Sequence, residues 1–417
     1  MDKLVIIGKN SLSGTVNISG AKNAVLPAMA ATLIAPGIYR IHKVPDLRDT
    51  RTMIKLLEII GAKVVYENGI LEVDTRECDN PEAPYELVKT MRASFYVLCP
   101  LLARFGYARV SLPGGCAWGP RPVNYHISGI EKMGAKTELD QGYIIAKADR
   151  LKGETISFDT SSVGATGNLL MASVLAEGKT IIQNAAREPE IMFLCRFLNE
   201  MGADISGIGT DCLIIHGVDD LRPVEIEVIP DRIETATFLI AGALIGEGVT
   251  VADVEPEHLT VILDKLQEVG CEMTIEDKSI AIFREEPLKP VNVVTAVYPG
   301  FPTDVQAQWM ALMTLAKGSS VITDTIYHDR FTHVAELTRL GARIKLQDNV
   351  ATVTGVNELR GATVMSTDIR ASASLILAAL AAEGRTDISR VYHIDRGYEK
   401  IEEKLRGIGA QIWRAEE

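Results

Sequence analysis

Six polar side chains, four of them cationic, recur at one position along this chain. Lys22, Arg92, Ser162, Arg232, Asp304 and Arg370 each lie at nearly the same distance before a glycine: Gly37, Gly106, Gly178, Gly248, Gly318 and Gly384. Each precedes an apolar, small-residue run, such as AVLPAMAATLIAPG, NLLMASVLAEG or ASASLILAALAAEG. Taken singly, a polar residue there reads as a helix cap. Six in register carry more. Buried helices running the same way would aim their unpaired N–H groups and positive dipole ends at one face, a natural anion site. A second set of cations opens the next helical run of most units: Arg48 or Arg51, Arg121, Arg187, Arg330 and Arg396. The fourth unit has EPEHL and no arginine at that place. A lone surface arginine is ordinarily just solvated. A convergent group suits two oxygens of a phosphate or carboxylate, because the guanidinium is a planar fork.

The other chemically suggestive residue is Cys116. It sits in LPGGCAWGPRP, within the unit whose two marker glycines, Gly106 and Gly134, stand farthest apart. Lengthened loops in a tight repeat are usually functional. A thiol between Gly115 and Ala117 with Arg121 nearby could have its pKa lowered and act as an acid or nucleophile. Cys99 and Cys195 lie in apolar helical runs and read as inert core thiols.

The repeat that positions these groups is marked by a second glycine. Helix-like runs end in Gly-Ala, once Gly-Cys, at Gly61, Gly134, Gly202, Gly270, Gly341 and Gly409. The near-constant interval between these sites means that one unit is used six times. Glycine stops a helix there because it enters the left-handed conformation without strain. Each unit reads as buried helix, β-branched strand, more polar helix, then further strand. The first helix has almost no charge on any face, so it is expected to be buried on all sides, with sheets outside it. At 417 residues the chain suits two domains, three units in each.

Composition excludes several classes. The chain is 47% apolar and 24% charged, with a net charge of −12, which argues against non-specific binding of nucleic acid or anionic membrane. It has no apolar run long enough for a membrane span and no signal-peptide pattern at MDKLVIIGKN. The six cysteines show no CxxC or framework spacing, which fits free thiols in the cytoplasm. There is no HExxH, P-loop or GxGxxG, so neither a metal nor a cofactor is expected.

The motifs SGAKNA, PGGCAWGPRPVNYHI, SVGAT, NAAREPEI, PDRIET, FPTDVQAQ, TDIRASASL and YHIDRGYE run the length of the chain. Through them it resembles the enolpyruvyl transferases, in the branch acting on UDP-N-acetylglucosamine. The resemblance implies an inside-out α/β barrel of two domains, with six βαβαββ-type repeats and the active site in the interdomain cleft. It also implies domain limits: 1–19 with 230–417 for the C-terminal, catalytic domain, and 20–229 for the N-terminal domain carrying the Cys116 loop. The implied reaction moves the enolpyruvyl group of phosphoenolpyruvate to the sugar 3-hydroxyl with release of phosphate, by addition and elimination. That is the first committed step of peptidoglycan synthesis. Carried over by position, Cys116 would donate the proton to the methylene carbon and could form a covalent adduct. It would also be the target of the family's epoxide antibiotic, fosfomycin. Asp304 would take the hydroxyl proton. Lys22, Arg121 and Arg396 would hold the phosphate of phosphoenolpyruvate, with Arg330 and Arg370 towards its carboxylate. Asn23 would reach both substrates. Arg92, Arg121, Pro122, Val123, Asn124, Tyr125, Ser162, Val163, Asp304 and Ile326 would line the nucleotide-sugar site, with Tyr125 over the uracil. Asp231 and Asp368 would lie near the reacting carbon. Thr160 stands where some members carry lysine, which would remove one diphosphate contact.

Two other readings compete. One is the sister reaction on shikimate 3-phosphate, against which the cysteine loop and the HIDRGYE ending speak. The other is a sliding-clamp-like ring, also acidic and built of six units. A clamp would need basic helices lining a hole, and runs such as ASLILAALAAEG cannot face DNA.

Overall fold

In the computed structural model, residues 2–113, 123–284 and 287–416 are described. Cys116, Arg121 and Pro122 lie outside them, so the roles expected for these three residues find no structural counterpart below.

All six glycines at the ends of the second helices have positive φ, from 95° at Gly134 to 110° at Gly202. The stop signal therefore has the backbone conformation that its residue type favours. The chain divides into two compact units, one made of Met1–Ser19 with Pro230–Glu417 and the other of Gly20–Ile229. We call them the split unit and the continuous unit. Each contains three four-stranded sheets.

Within a sheet, two strands run parallel on either side of a core helix, and a hairpin completes the set. In the sheet of Thr155–Ser157, Lys179–Gln183, Asp204–Ser206 and Cys212–His216, the first two pair parallel and the others antiparallel. A parallel pair requires a crossover, and the core helix Val163–Ser173 supplies it. Two sheets draw their first strand from far along the chain. Leu12–Asn17 pairs parallel with Gly246–Ala252, and Glu225–Glu227 pairs parallel with Ile38–His42. The N-terminal strand Asp2–Ile7 fills an inner place in the last sheet, between Arg385–Ser389 and Gln411–Glu416.

The core helices are Lys22–Ala31, Leu98–Phe105, Val163–Ser173, Arg232–Ile245, Gln306–Met313 and Ile369–Ala381. Almost every residue of the last three is buried, which is what an all-round apolar helix needs. Several hydroxyls of the core helices turn back onto their own helix: Thr32, just past the first, donates to the Met29 carbonyl, Ser173 to Leu169 and Ser374 to Ala371. Helices so enclosed cannot line a DNA-sized hole, which removes the clamp reading. Two core helices begin with 3₁₀ segments, Arg92–Val97 and Thr303–Val305, where the sequence predicts α-helix from the first residue. At the first of these, Pro100 supplies no N–H for the Tyr96 carbonyl, so the α-helical ladder cannot run back through that turn.

The strands bury alternate residues, as in Ile38–His42 and Ile70–Asp74, so each sheet packs one face on the helices. Each unit has its own hydrophobic core. Among the described residues no helix is long and apolar enough to cross a membrane. Cys78, Cys99, Cys195, Cys212 and Cys271 are free thiols. Burial raises the pKa of Cys99, and that of Cys195 to about 12, so both are inert, as expected for core positions.

Candidate functional site

In the split unit the helix starts bring three of the expected residues into contact. Asp304 lies in the 3₁₀ turn Thr303–Val305, ahead of a core helix. One of its carboxylate oxygens accepts from Arg330 Nη2 at 2.8 Å and the other from Arg370 Nη2 at 2.9 Å. Both arginines are buried, at 8% and 6% exposure, whereas the Asp304 side chain keeps 26%. Asp304 is therefore the most exposed side chain of the three. Burial pushes the Asp304 pKa up, but Arg370 and Arg330 more than offset it, and the carboxyl is held well below its ordinary range.

The arginines are themselves anchored. Arg330 Nη1 donates to Thr303 Oγ1 at 3.0 Å, and that hydroxyl donates to Asp324 at 2.7 Å. Arg370 Nη1 donates to the Tyr398 hydroxyl at 3.4 Å, which is also 2.8 Å from Thr237 Oγ1. Asp368 caps its helix by accepting from the Arg370 and Ala371 amides, and Asp231 does the same with Ile233 and Glu234. Both acidic residues expected near the reacting carbon thus act as helix caps here. Ile326 N donates to Asp324, and Arg396 closes the 3₁₀ segment Val391–Arg396 rather than opening the helix Ile401–Gly407. Arg232 lies over the Tyr298 ring at 5.5 Å.

In the continuous unit Lys22 opens the first core helix and is almost buried. Its Nζ lies 2.7 Å from Asp49 Oδ2, with side-chain exposures of 11% and 4%. Asn23 beside it is exposed. Ser162 caps Val163–Ser173, its Oγ accepting from the Ala165 amide at 3.3 Å. The Tyr125 hydroxyl accepts from the Thr160 amide at 3.3 Å, and its ring lies 5.2 Å from that of Phe158. Tyr125 is thereby fastened to the segment leading into Ser162 and Val163. Arg92 is half-buried at the start of its 3₁₀ segment, Val123 is half-buried, and Asn124 is exposed. Of the remaining cations, Arg51 forms an exposed bidentate pair with Asp46 and Arg48 is exposed.

Some partners were not legible in the sequence. Asp49, in LRDTR, carries the correct charge for Lys22 but belongs to the following helix, with no spacing rule to join them. His126 lies inside a quoted motif without an assigned role. Tyr398, Thr237 and Gln308 form a buried polar knot behind Arg370, with Gln308 Nε2 3.2 Å from the tyrosine hydroxyl. Polar letters within apolar helical runs were the available signal. Among the described residues one group has metal-ligand spacing, Glu255, Glu257 and His258, whose ligand atoms lie within 4.8 Å of one another. His258 Nε2 is there 2.9 Å from Glu255, an ordinary ion-pair distance.

Comparison with known proteins shows the family. The family model described as EPSP synthase (3-phosphoshikimate 1-carboxyvinyltransferase) matches residues 6–405. A protein of Chlorobaculum parvum named UDP-N-acetylglucosamine 1-carboxyvinyltransferase is 58% identical, covering 99% of this chain and 98% of the relative. One of Geotalea uraniireducens with the same name is 54% identical over 100% of both. Among solved structures, the enolpyruvyl transferase NikO from Streptomyces tendae superposes with a TM-score of 0.91 at 29% identity, covering 99% of each chain. EPSP synthase from Acinetobacter baumannii shares the fold alone, with a TM-score of 0.78 at 18% identity over both full lengths. The chain belongs to the enolpyruvyl transferases, on the side of the family whose curated relatives are named UDP-N-acetylglucosamine 1-carboxyvinyltransferase.

Proposed function

We propose that this protein transfers the enolpyruvyl group of phosphoenolpyruvate to the 3-hydroxyl of UDP-N-acetylglucosamine, releasing phosphate, in the cytoplasm and as the first committed step of peptidoglycan synthesis. The observation that carries this reading is likeness over essentially the whole chain, at 58% identity, to a relative of that name.

In the addition step Cys116 gives a proton to the methylene carbon while the sugar oxygen attacks the neighbouring carbon and Asp304 takes the hydroxyl proton. In the elimination step a methyl proton leaves, the double bond re-forms and phosphate departs with the bridging oxygen. Lys22, Arg121 and Arg396 take the phosphate, and Arg330 and Arg370 take the carboxylate. Asn23 touches both substrates. Arg92, Arg121 to Tyr125, Ser162, Val163, Asp304 and Ile326 take the nucleotide sugar.

The Asp304 cluster gives this reading a physical basis. Clamped between two guanidiniums, Asp304 is a weak base. A substrate carboxylate that draws on Arg330 and Arg370 loosens the clamp and raises the proton affinity of Asp304 when the hydroxyl needs it. The test is turnover of the full-length protein with phosphoenolpyruvate and each acceptor in turn. Phosphate release with UDP-N-acetylglucosamine and none with shikimate 3-phosphate is expected. The reverse pattern would assign the protein to the sister reaction.

A further inference from the structure

Arg396 sits between residues that are tied down on both sides. The 3₁₀ segment Val391–Arg396 ends in a tight turn, where the amides of Gly397 and Tyr398 both donate to the Ile394 carbonyl at 3.0 Å. One residue before Arg396, the Asp395 carboxylate accepts from both Nη groups of Arg414, at 2.7 and 2.9 Å. A bidentate pair of this kind fixes orientation as well as distance. Arg414 lies in the last strand, Gln411–Glu416, and its Nε donates to the buried Glu402 carboxylate at 2.8 Å. One residue after Arg396, a Cβ on Gly397 would stand 2.6 Å from Ile369 Cγ2. The backbone there lies close against the first residue of the core helix Ile369–Ala381, whose second residue is Arg370.

Two residues after Arg396 comes Tyr398, at 2% exposure. A phenolic hydroxyl can donate one hydrogen bond and accept two, and this one makes all three. Arg370 Nη1 donates to it at 3.4 Å and Gln308 Nε2 at 3.2 Å, so both lone pairs are taken. Its proton must then go to Thr237 Oγ1, 2.8 Å away, and the threonine hydroxyl donates to the Ile233 carbonyl at 2.8 Å. A hydroxyl with every site filled is not free to turn. Gln308 Nε2 also donates to the Asp304 carbonyl at 2.9 Å, so the same joint holds the backbone of Asp304. Burial raises the pKa of the phenol, which stays protonated.

We propose that Asp395 to Tyr398 form a rigid bracket that sets the distance between Arg396 and Arg370, and so selects anions whose phosphate and carboxylate stand on one carbon. Tyr398 and Asp395 are its positioning residues, acting through the two arginines. The proposal rests on the functional reading above, in which Arg396 takes the phosphate of phosphoenolpyruvate and Arg370 its carboxylate. Both groups of that substrate stand on its central carbon. A pinned pair of cations favours only the spacing it holds, because a guanidinium that shifts to follow a longer anion loses its own partners.

Two probes read the spacing directly. Phosphoglycolate carries phosphate and carboxylate on one carbon, and its homologue phosphooxypropanoate separates them by one more methylene. Each is measured as an inhibitor competing with phosphoenolpyruvate, at saturating UDP-N-acetylglucosamine, in full-length wild type, Tyr398→Phe and Asp395→Ala. Tyr398→Phe removes one oxygen and keeps the buried ring, and Asp395→Ala leaves Arg414 its contact with Glu402. Wild type should prefer the shorter probe roughly tenfold or more, the range of one hydrogen bond to a charged group. Each variant should lose most of that preference and raise the KM for phosphoenolpyruvate by roughly the same factor. The KM for UDP-N-acetylglucosamine should hardly move.

A wild-type preference kept by either folded variant would overturn the bracket and leave its anchors a structural role alone. Equal rises in both KM values would do the same, as would wild type that uses phosphoenolpyruvate yet does not discriminate between the probes. Wild type that neither uses phosphoenolpyruvate nor is protected from heat by either probe would instead sink the functional reading, and the bracket with it.

Discussion

The two units prepare for negative charge in different ways. In the split unit two buried guanidiniums close on one carboxylate, so Arg330, Arg370 and Asp304 together carry a net positive charge. In the continuous unit Lys22 pairs with Asp49, and the start of Val163–Ser173 is furnished with neutral groups: a serine cap, the first backbone amides of the helix and the neutral imidazole of His126. An incoming anion must compete with a protein carboxylate at Arg330 and Arg370, whereas at Val163 and Gly164 it meets neutral backbone donors that have no acceptor within their own helix. Competition makes a site responsive, because binding changes the state of the displaced group. Unused donors make a site of fixed geometry. The first suits a substrate that must trigger proton transfer, and the second suits one that must only be held.

The strongest way to break this contrast is Asp304→Ala. Removing both the proton acceptor and the anion between the guanidiniums should lower turnover by roughly 10²- to 10⁴-fold. Steady-state kinetics on folded protein would check it, and near wild-type turnover would remove Asp304 from the chemistry.

Arg370→Ala sharpens the same side. It leaves Asp304 with Arg330 alone, so the aspartate pKa should rise while the carboxylate of phosphoenolpyruvate loses a partner. The cost in kcat/KM for phosphoenolpyruvate should be about 1.5–3 kcal/mol, a hydrogen bond to a charged group. The low-pH limb of the rate profile should also shift upward. An unchanged profile would show that Arg370 does not govern Asp304.

On the other side, Lys22→Ala strips the ammonium from a carboxylate that is 4% exposed. Thermal unfolding should reveal a loss of about 1–3 kcal/mol. Lys22→Ala combined with Asp49→Asn should regain part of this stability without regaining the use of phosphoenolpyruvate. Equal stability of the single and double variants would mean that the pair is not coupled.

The smallest effect concerns acid. His126 in the continuous unit and His333 in the split unit are both held neutral by burial, with pKa values lowered to about 3 and about 4. The unfolded chain binds protons near the ordinary histidine value of about 6.5 and the folded chain does not, so stability falls as the pH drops below that point. At pH 5.5 each histidine should have removed on the order of 1 kcal/mol. Denaturant titrations from pH 7.5 to 5.5 would measure the slope, and His333→Asn should flatten it. A slope untouched by that change would assign the loss to other groups.

The sequence shows a repeat clearly where the determinants are local. Gly61 and its five counterparts stop helices by a property of glycine alone, so they can be counted without a structure. The apolar helices are legible for the same reason. The alignment of Lys22, Arg92, Ser162, Arg232, Asp304 and Arg370 follows from the repeat itself. What stays hidden is who holds whom. Asp304 meets Arg370 across 66 residues, and Asn168 meets His126 across 42. Helix packing alone sets such pairs, and no periodicity encodes them. The 3₁₀ start at Arg92 is an intermediate case, since Pro100 was visible but its effect depends on where the helical register begins.

The most direct test of enolpyruvyl transfer follows the oxygen that bridges carbon and phosphorus in phosphoenolpyruvate. The protein would be given substrate carrying ¹⁸O at that position together with UDP-N-acetylglucosamine, and the released phosphate analysed by mass spectrometry. Attack of the sugar oxygen on carbon breaks the carbon–oxygen bond, so the expected phosphate carries the label and forms only when UDP-N-acetylglucosamine is present. Unlabelled phosphate would mean cleavage at phosphorus, and labelled phosphate formed equally well without the sugar nucleotide would mean hydrolysis. Either result would contradict enolpyruvyl transfer.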